Sequence, residues 1–281
     1  MIPRKLVVLA VLAIIVLAVI IFFPSHQQPP DKPLPNPNGY DDFVAAGNSV
    51  AGSWDFESLS PAELAALVSR NQPALNRLRQ GLQHECRAPK LAPRQLRMGE
   101  TTHFKTLAYA LAAEAQVALQ NSRTNDAVEI YLEGIRFGHE CLRGGVAIDK
   151  LIATASEAVA LSHLEKLIDS LPAEECRRII AEMLKLEQNE ETAAEVLEQE
   201  REWIHRSASL KDRLGGIIQS RSFDPVKNVR ASVESRIEDM KIRQHKLILH
   251  CAGRAFALEE GRPARGKSEL VPRYLKSIPT P

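Results

Sequence analysis

The tripeptide His-Glu-Cys occurs twice, at His84-Glu85-Cys86 and at His139-Glu140-Cys141. Two histidines and two cysteines are the residue types of a Cys2His2 zinc site, and the two cysteines alone could form a disulfide. Zinc takes four ligands at about 2.0–2.3 Å, usually delivered in C-x2-C or H-x3-H pairs. Residues two apart on a helix point about 200° away from each other. His139 and Cys141 fall in an expected helix, so they do not share one ion. His84 and Cys86 fall at a helix end ahead of Pro89. No metal and no other cofactor is therefore expected. A disulfide asks less of the chain. The four cysteines (Cys86, Cys141, Cys176 and Cys251) allow three full pairings. Spacing does not choose among them. Cys86–Cys141 is the candidate bridge, against the alternative of four small, buried, apolar thiols. His84 and His139, near helix C-termini, would be favoured there by the helix dipole alone.

Other reactive residues form weaker patterns. Asp41 and Asp42 follow Asn38, as expected of acids in a capped first helical turn. His245 and His250 are five apart and share a helix face poorly, and Trp54 and Trp203 suit a core or an interface. The chain contains no HExxH, GxSxG, P-loop or GxGxxG motif. No catalytic or cofactor-binding residue is nominated, and an enzyme of unrecognised type stays only as an alternative.

The elements that must position these residues begin with an anchor. Leu6 to Phe23 is an uninterrupted apolar run of 18 residues, 15 of them Leu, Ile, Val or Phe. As a helix it spans roughly 27 Å, close to the hydrocarbon thickness of a bilayer. Arg4 and Lys5 precede it, and no acid appears before Asp31. The positive-inside rule then keeps the N-terminus cytoplasmic and exports the rest. A cleaved signal peptide would have a shorter apolar core and a small-x-small site, whereas Pro24-Ser25-His26-Gln27 follows here. The expectation is a single-pass signal anchor over 1–23 in the cytoplasmic (inner) membrane. Residues 24–39 hold six prolines in 16 positions, a semi-rigid spacer.

From Tyr40 to Pro281 the chain reads as an extracytoplasmic all-α domain. Ser60, Pro61 and Glu63 form a capping box, and Leu64, Leu67, Val68, Leu75, Leu78 and Leu82 follow with helical spacing. Pro73 is expected to kink that helix. Thr101 or Thr102 is expected to cap the next, and Asn121 to Asn125 reads as a turn. Further helices are expected over Asp126 to Leu142, Val146 to Ser170 and from Pro172. An interruption is expected near Gln188 to Glu191, before a second capping box at Thr192 and Glu195. Gly215 to Pro225 reads as loop, and Val226 to Glu260 as one long helix. No stretch alternates with period two, so no sheet is expected.

One segment is more specific. Leu111, Ala115, Ala127, Tyr131 and Gly134 have the spacing of a tetratricopeptide-like (TPR-like) hairpin, with small residues at the crossing and one large plug. An ordinary αα-hairpin is the alternative. Gly134, Gly138, Cys141 and Gly145 extend the small stripe, so a further helix should lie close against it.

Ala255 to Pro281, with its E-x-G-x-x-P turn and LVPRYLKSIP ending, resembles the C-terminus of a set of uncharacterised, membrane-anchored helical bacterial proteins. Asn38 to Gly47 and Gly138 to Leu151 fit the same set. That resemblance implies architecture rather than activity. The ending is also similar to that of type II secretion pseudopilins, which makes an accessory role in a secretion assembly an alternative. Thr280 replaces the usual Asp there, and a prepilin-type cleavage site is lacking.

Charge completes the reading. The chain carries 36 basic and 35 acidic residues, a formal charge of +1. So balanced a chain has no field to gather phosphate backbones, so no nucleic-acid partner is expected. Glu187 to Glu202 holds seven Glu, and Lys241 to Lys276 nine basic residues. The two stretches are either solvated or mutually paired faces, or a docking surface for a protein partner. The functional expectation is a membrane-anchored interaction or scaffold protein, its partner a protein of unknown identity.

Overall fold

The computed structural model describes residues 33–52, 55–207 and 226–279. The apolar run Leu6 to Phe23, most of the spacer, Trp54, the loop from Gly215 to Pro225 and Thr280 lie outside them. The chain divides into Met1–Leu34 and Pro35–Pro281, and the second unit is described here. Its described residues form helices and turns, with no strand among them. No helix among the described residues is long and apolar enough to cross a membrane.

Helix α1 (Gly39–Ser49) is capped by Asn38, whose side chain accepts from the Tyr40 N–H at 3.2 Å. Helix α2 (Pro61–Gly81) opens on the expected capping box and runs through Pro73. Helix α3 (Met98–Gln120) starts ahead of Thr101 and Thr102. Neither threonine caps it: both hydroxyls donate back to the Met98 carbonyl, at 3.1 and 2.9 Å. That is a correction with a plain cause. A hydroxyl one turn into a helix finds the carbonyl behind it as readily as a free N–H ahead.

Helix α4 (Thr124–Glu140) follows after a three-residue turn, Asn121 to Arg123. Gly144, at φ +80°, turns the chain into α5 (Ala147–Glu165). Helices α6 (Ala173–Gln188) and α7 (Ala193–Ser207) are separated where the Thr192–Glu195 box was expected. Glu195 Oε2 accepts from the Thr192 N–H at 2.7 Å, and the Thr192 hydroxyl accepts from the Glu195 N–H at 3.2 Å. Helix α8 (Lys227–Glu260) ends on Gly261 in the left-handed conformation.

Two apolar centres organise the unit. Helices α1 to α4 enclose the first, where Phe43, Phe104 and Phe137 meet edge to face with centroids 5.1 and 6.0 Å apart. The second lies among α3, α4, α5, α6 and α8. The C-terminal ending closes it: Leu270, Tyr274 and Leu275 are buried, and the Tyr274 ring meets Phe256 at 6.0 Å. The Tyr274 hydroxyl donates to Glu259 at 2.7 Å, and Arg273 reaches the same carboxylate at 2.7 Å. The LVPRYL motif is thus a clasp on the end of α8.

The α3–α4 hairpin buries Leu111, Ala115, Ala127 and Tyr131. The small stripe has the neighbour it called for. A Cβ on Gly138 would stand 2.4 Å from the Glu157 nitrogen and 2.5 Å from its Cα, so α4 and α5 touch backbone to backbone there. Around Gly253, in α8, nothing lies within 4 Å. Gly138→Ala should therefore cost about 1–3 kcal/mol through overpacking, whereas Gly253→Ala should stabilise by about 0.5–1 kcal/mol through helix propensity. Urea melts of the two variants check this. Equal effects would contradict the close approach.

Candidate functional site: a buried acid–histidine–lysine network

The two His-Glu-Cys tripeptides have different fates. His84, beyond the end of α2, places Nδ1 2.8 Å from Asp42 Oδ2, while Arg77 pairs with the other Asp42 oxygen at 2.7 Å. The first-turn acid of α1 is thereby bound to α2. His139, in the last turn of α4, lies elsewhere, with its side chain 1% exposed. Its Nδ1 is 2.9 Å from Glu140 Oε1, and its Nε2 makes an ion-pair contact of 3.2 Å with Glu190 Oε2. The histidines thus serve separate carboxylates. Among the described residues, no group of His, Cys, Asp and Glu side chains is placed to hold a metal ion.

The cysteines do converge. Cys86 and Cys141 are both buried in the first apolar centre, near enough for Cys141 to disfavour the Cys86 thiolate. They stand there as thiols. Burial pushes both thiols well above the usual range, and nearby carboxylates add to it.

Around His139 the helices deliver further charged groups. Lys150, one turn into α5, donates to Glu190 Oε1 at 2.6 Å. Two turns on, Glu157 is buried and accepts from Gln244 Nε2 of α8 at 2.5 Å. His245, the next residue of α8, places Nε2 2.9 Å from Glu187 Oε1. Gly138 makes this assembly possible, because only a glycine lets the His139 turn of α4 press on the backbone at Glu157.

The N-terminus of α5 is the second half of the site. Its first N–H groups have no partner within the helix. Two acids supply acceptors there, Asp149 to the Val146 N–H at 3.1 Å and Glu200 to the Ala147 N–H at 2.9 Å, and Glu191 accepts from Gly144 N at 3.1 Å in the turn just ahead. The helix dipole favours negative charge at that end. Arg97 balances it, donating to Asp149 Oδ2 at 2.5 Å with its side chain only 5% exposed.

The acidic stretch Glu187 to Glu202 is therefore consumed inside the fold. Glu187, Glu190, Glu191 and Glu200 face the partners just named. Glu195 caps α7, Glu198 pairs with Arg201, and Glu202 takes Lys90 at 2.9 Å. Among the described contacts, Glu187 with His245 is the one that joins this stretch to Lys241–Lys276; its other glutamates take partners elsewhere, and Glu195, Glu198 and Glu202 do so at the surface. Trp203 is half-buried and donates from Nε1 to the Ala92 carbonyl at 3.3 Å. His250 pairs with Asp169 at 2.8 Å, apart from His245.

Burial and pairing set the protonation states. Burial alone would lower His139, but the hydrogen bonds and charges of Glu140 and Glu190 override it and lift its pKa to about 9. Burial would raise Glu190, yet His139 and Lys150 hold it at about 2. Glu157 is carried up to about 7 by burial and by the charge of Glu190. At neutral pH the network thus holds an imidazolium between two carboxylates, and beside them a glutamic acid poised to titrate. Chemically it can fix charge and store a proton. The Cys141 thiol beside it is silenced by burial.

Lys150, Glu157, Glu190, Glu191, Glu200 and Gln244 were not singled out from sequence. A signal existed: Asp149, Lys150 and Glu157 sit on the same stripe of α5 as Ala153, Ala160, Leu161 and Leu164, and all are buried. Ionisable residues on an apolar stripe must be paired.

No family model matches the chain, and no curated protein and no solved structure matches it. The fold and the network therefore define its class by themselves: an all-α protein built around a buried charged core.

The signs of the shifts predict a pH profile. Glu190 contributes stability that is present above about 4.5 and lost as pH falls through about 2. Glu157, protonated when folded, makes stability fall as pH rises from about 4.5 to about 7. The stability from His139 is complete below about 6.5 and is lost as pH rises through about 9. Thermal stability should therefore peak near pH 5 and decline toward pH 9. In Glu157→Gln the fall between pH 5 and pH 7, about 2–3 kcal/mol in the unsubstituted chain, should shrink to the smaller part that His139 contributes. An unchanged slope in that variant would contradict the assignment.

Proposed function

We propose that this chain is a membrane-anchored helical scaffold whose exported domain binds another protein. The observation that carries this reading is the fate of the buried ionisable side chains. They are spent on one another and on a helix terminus, in pairs that join five helices, α4 to α8. Chemistry of this kind builds a rigid shape rather than a reaction centre. Two concavities among the described residues are small, about 250 and 310 Å³. One is bordered by Met240 and Arg243, the other by Phe56 and His163, and neither gathers the network's residues.

Three further features support the reading. Leu6 to Phe23 has the length and composition of a signal anchor, with Arg4 and Lys5 on its cytoplasmic side. The α3–α4 hairpin, with Leu111, Ala115, Ala127 and Tyr131 at its crossing, suits a TPR-like unit, and such helix pairs present binding surfaces without reactive groups. Leu96, Met98 and Ile148 are 49%, 63% and 40% exposed and are the chain neighbours of the paired Arg97 and Asp149. Apolar side chains around a rigid, buried ion pair make a suitable contact surface.

Fractionation and photo-crosslinking test this together. The full chain should partition with membranes, and residues 40–281 should be digested only when protease reaches the extracytoplasmic side. A photo-crosslinking residue at Met98 should give a discrete adduct that the same residue at Glu238, on the polar side of α8, does not. A soluble chain, or equal labelling at both positions, would overturn the proposal.

A further inference from the structure

Four buried cysteines in a helical domain are distributed in an unexpected way. Cys86 and Cys141 belong to the first apolar centre, and Cys176 and Cys251 to the second. Both full pairings that cross between the centres, Cys86–Cys176 with Cys141–Cys251 and Cys86–Cys251 with Cys141–Cys176, are thereby removed, and besides Cys86 with Cys141 the remaining pair is Cys176 and Cys251, across α6 and α8.

Two cross-links set the register of these helices. At one end Arg254 Nε donates to the Leu171 carbonyl at 3.3 Å, and at the other His245 Nε2 lies 2.9 Å from Glu187 Oε1. The helices are therefore antiparallel, and the two links bring residue 251 opposite the stretch 174–181, which includes Cys176. The two thiols lie close enough to influence each other, and both are fully buried. Ala252 and Ala255, fully buried on the same face of α8, let the backbones approach as a disulfide requires.

We propose that Cys176 and Cys251 are a redox pair that closes to a disulfide joining α6 to α8. Cys176 is the attacking thiol. It lies near the N-terminus of α6, where the helix dipole favours a thiolate whether or not α8 is seated. Its thiolate attacks an external disulfide such as oxidised glutathione, forms a mixed disulfide and releases one glutathione thiolate. The Cys251 sulfur then attacks the Cys176 sulfur and displaces the second glutathione, and the two thiol protons pass to the two leaving thiolates. Two protein thiols lose two electrons, and one external disulfide is reduced to two thiols. Both sulfurs are buried, so the exchange takes place before α8 seats on α6 or during its opening. Cys86 and Cys141 lack an activated member, since burial and nearby carboxylates raise both.

The full chain, purified in detergent, is equilibrated in glutathione buffers from reducing to oxidising. It is also refolded from denaturant in the same buffers, then quenched, alkylated and mapped by mass spectrometry. The expected product is a linked peptide pair containing Cys176 and Cys251, two hydrogens lighter than the reduced pair. Its Tm should lie about 5–10 °C above that of the reduced form. Cys251→Ser should retain one glutathione on Cys176. Alkylation of both residues as free thiols at the oxidising end, or linkage of either to Cys86 or Cys141, would overturn the proposal. Because this exchange runs in a defined buffer, its outcome is independent of where the exported domain resides.

Discussion

An imidazolium held out of water between two carboxylates is the interaction on which the arrangement depends. His139 belongs to α4, Lys150 to α5, and Glu190 to the link between α6 and α7. One carboxylate therefore ties three parts of the chain, and it does so where solvent scarcely competes. Taking such charges from water costs several kcal/mol per ion. Their value is specificity more than stability: only one seating of these helices pairs them all, so alternatives that separate His139 from Glu190 are heavily penalised. Gly138 supplies the room, and the acids at the start of α5 extend the same logic to its unpaired N–H groups.

The helical plan was legible because capping and turn chemistry is local. Ser60 with Glu63, Thr192 with Glu195, Pro172 and the Gly144–Gly145 break all mark boundaries that the fold keeps. So was the small stripe on α4, since a row of glycines and alanines invites a close neighbour. Thr101 and Thr102 misled because a hydroxyl that can cap can equally bond one turn back.

The site was hardly legible, for a different reason. His139 drew notice through its repeated tripeptide, but beyond the adjacent Glu140 its partner Glu190 comes from 51 positions away, on the link between α6 and α7. The sequence shows seven glutamates in a row of helix and cannot show that four of them turn inward. Charge alone favours a solvated face. What decides is the topology that carries α7 back over the N-terminus of α5, where N–H groups wait for acceptors. The two tripeptides are alike in spelling only: one histidine secures α1 to α2, the other joins α4 to the core of the second half.

A double-mutant cycle between His139 and Glu190 tests the central claim most directly. His139→Asn, Glu190→Gln and the double variant are unfolded in urea at pH 6, where both groups are charged in the folded chain. If the pair organises the core, the two substitutions are coupled by about 1–3 kcal/mol. Additive effects, within about 0.5 kcal/mol, would mean that His139 and Glu190 act independently and that the helices are held by apolar packing alone.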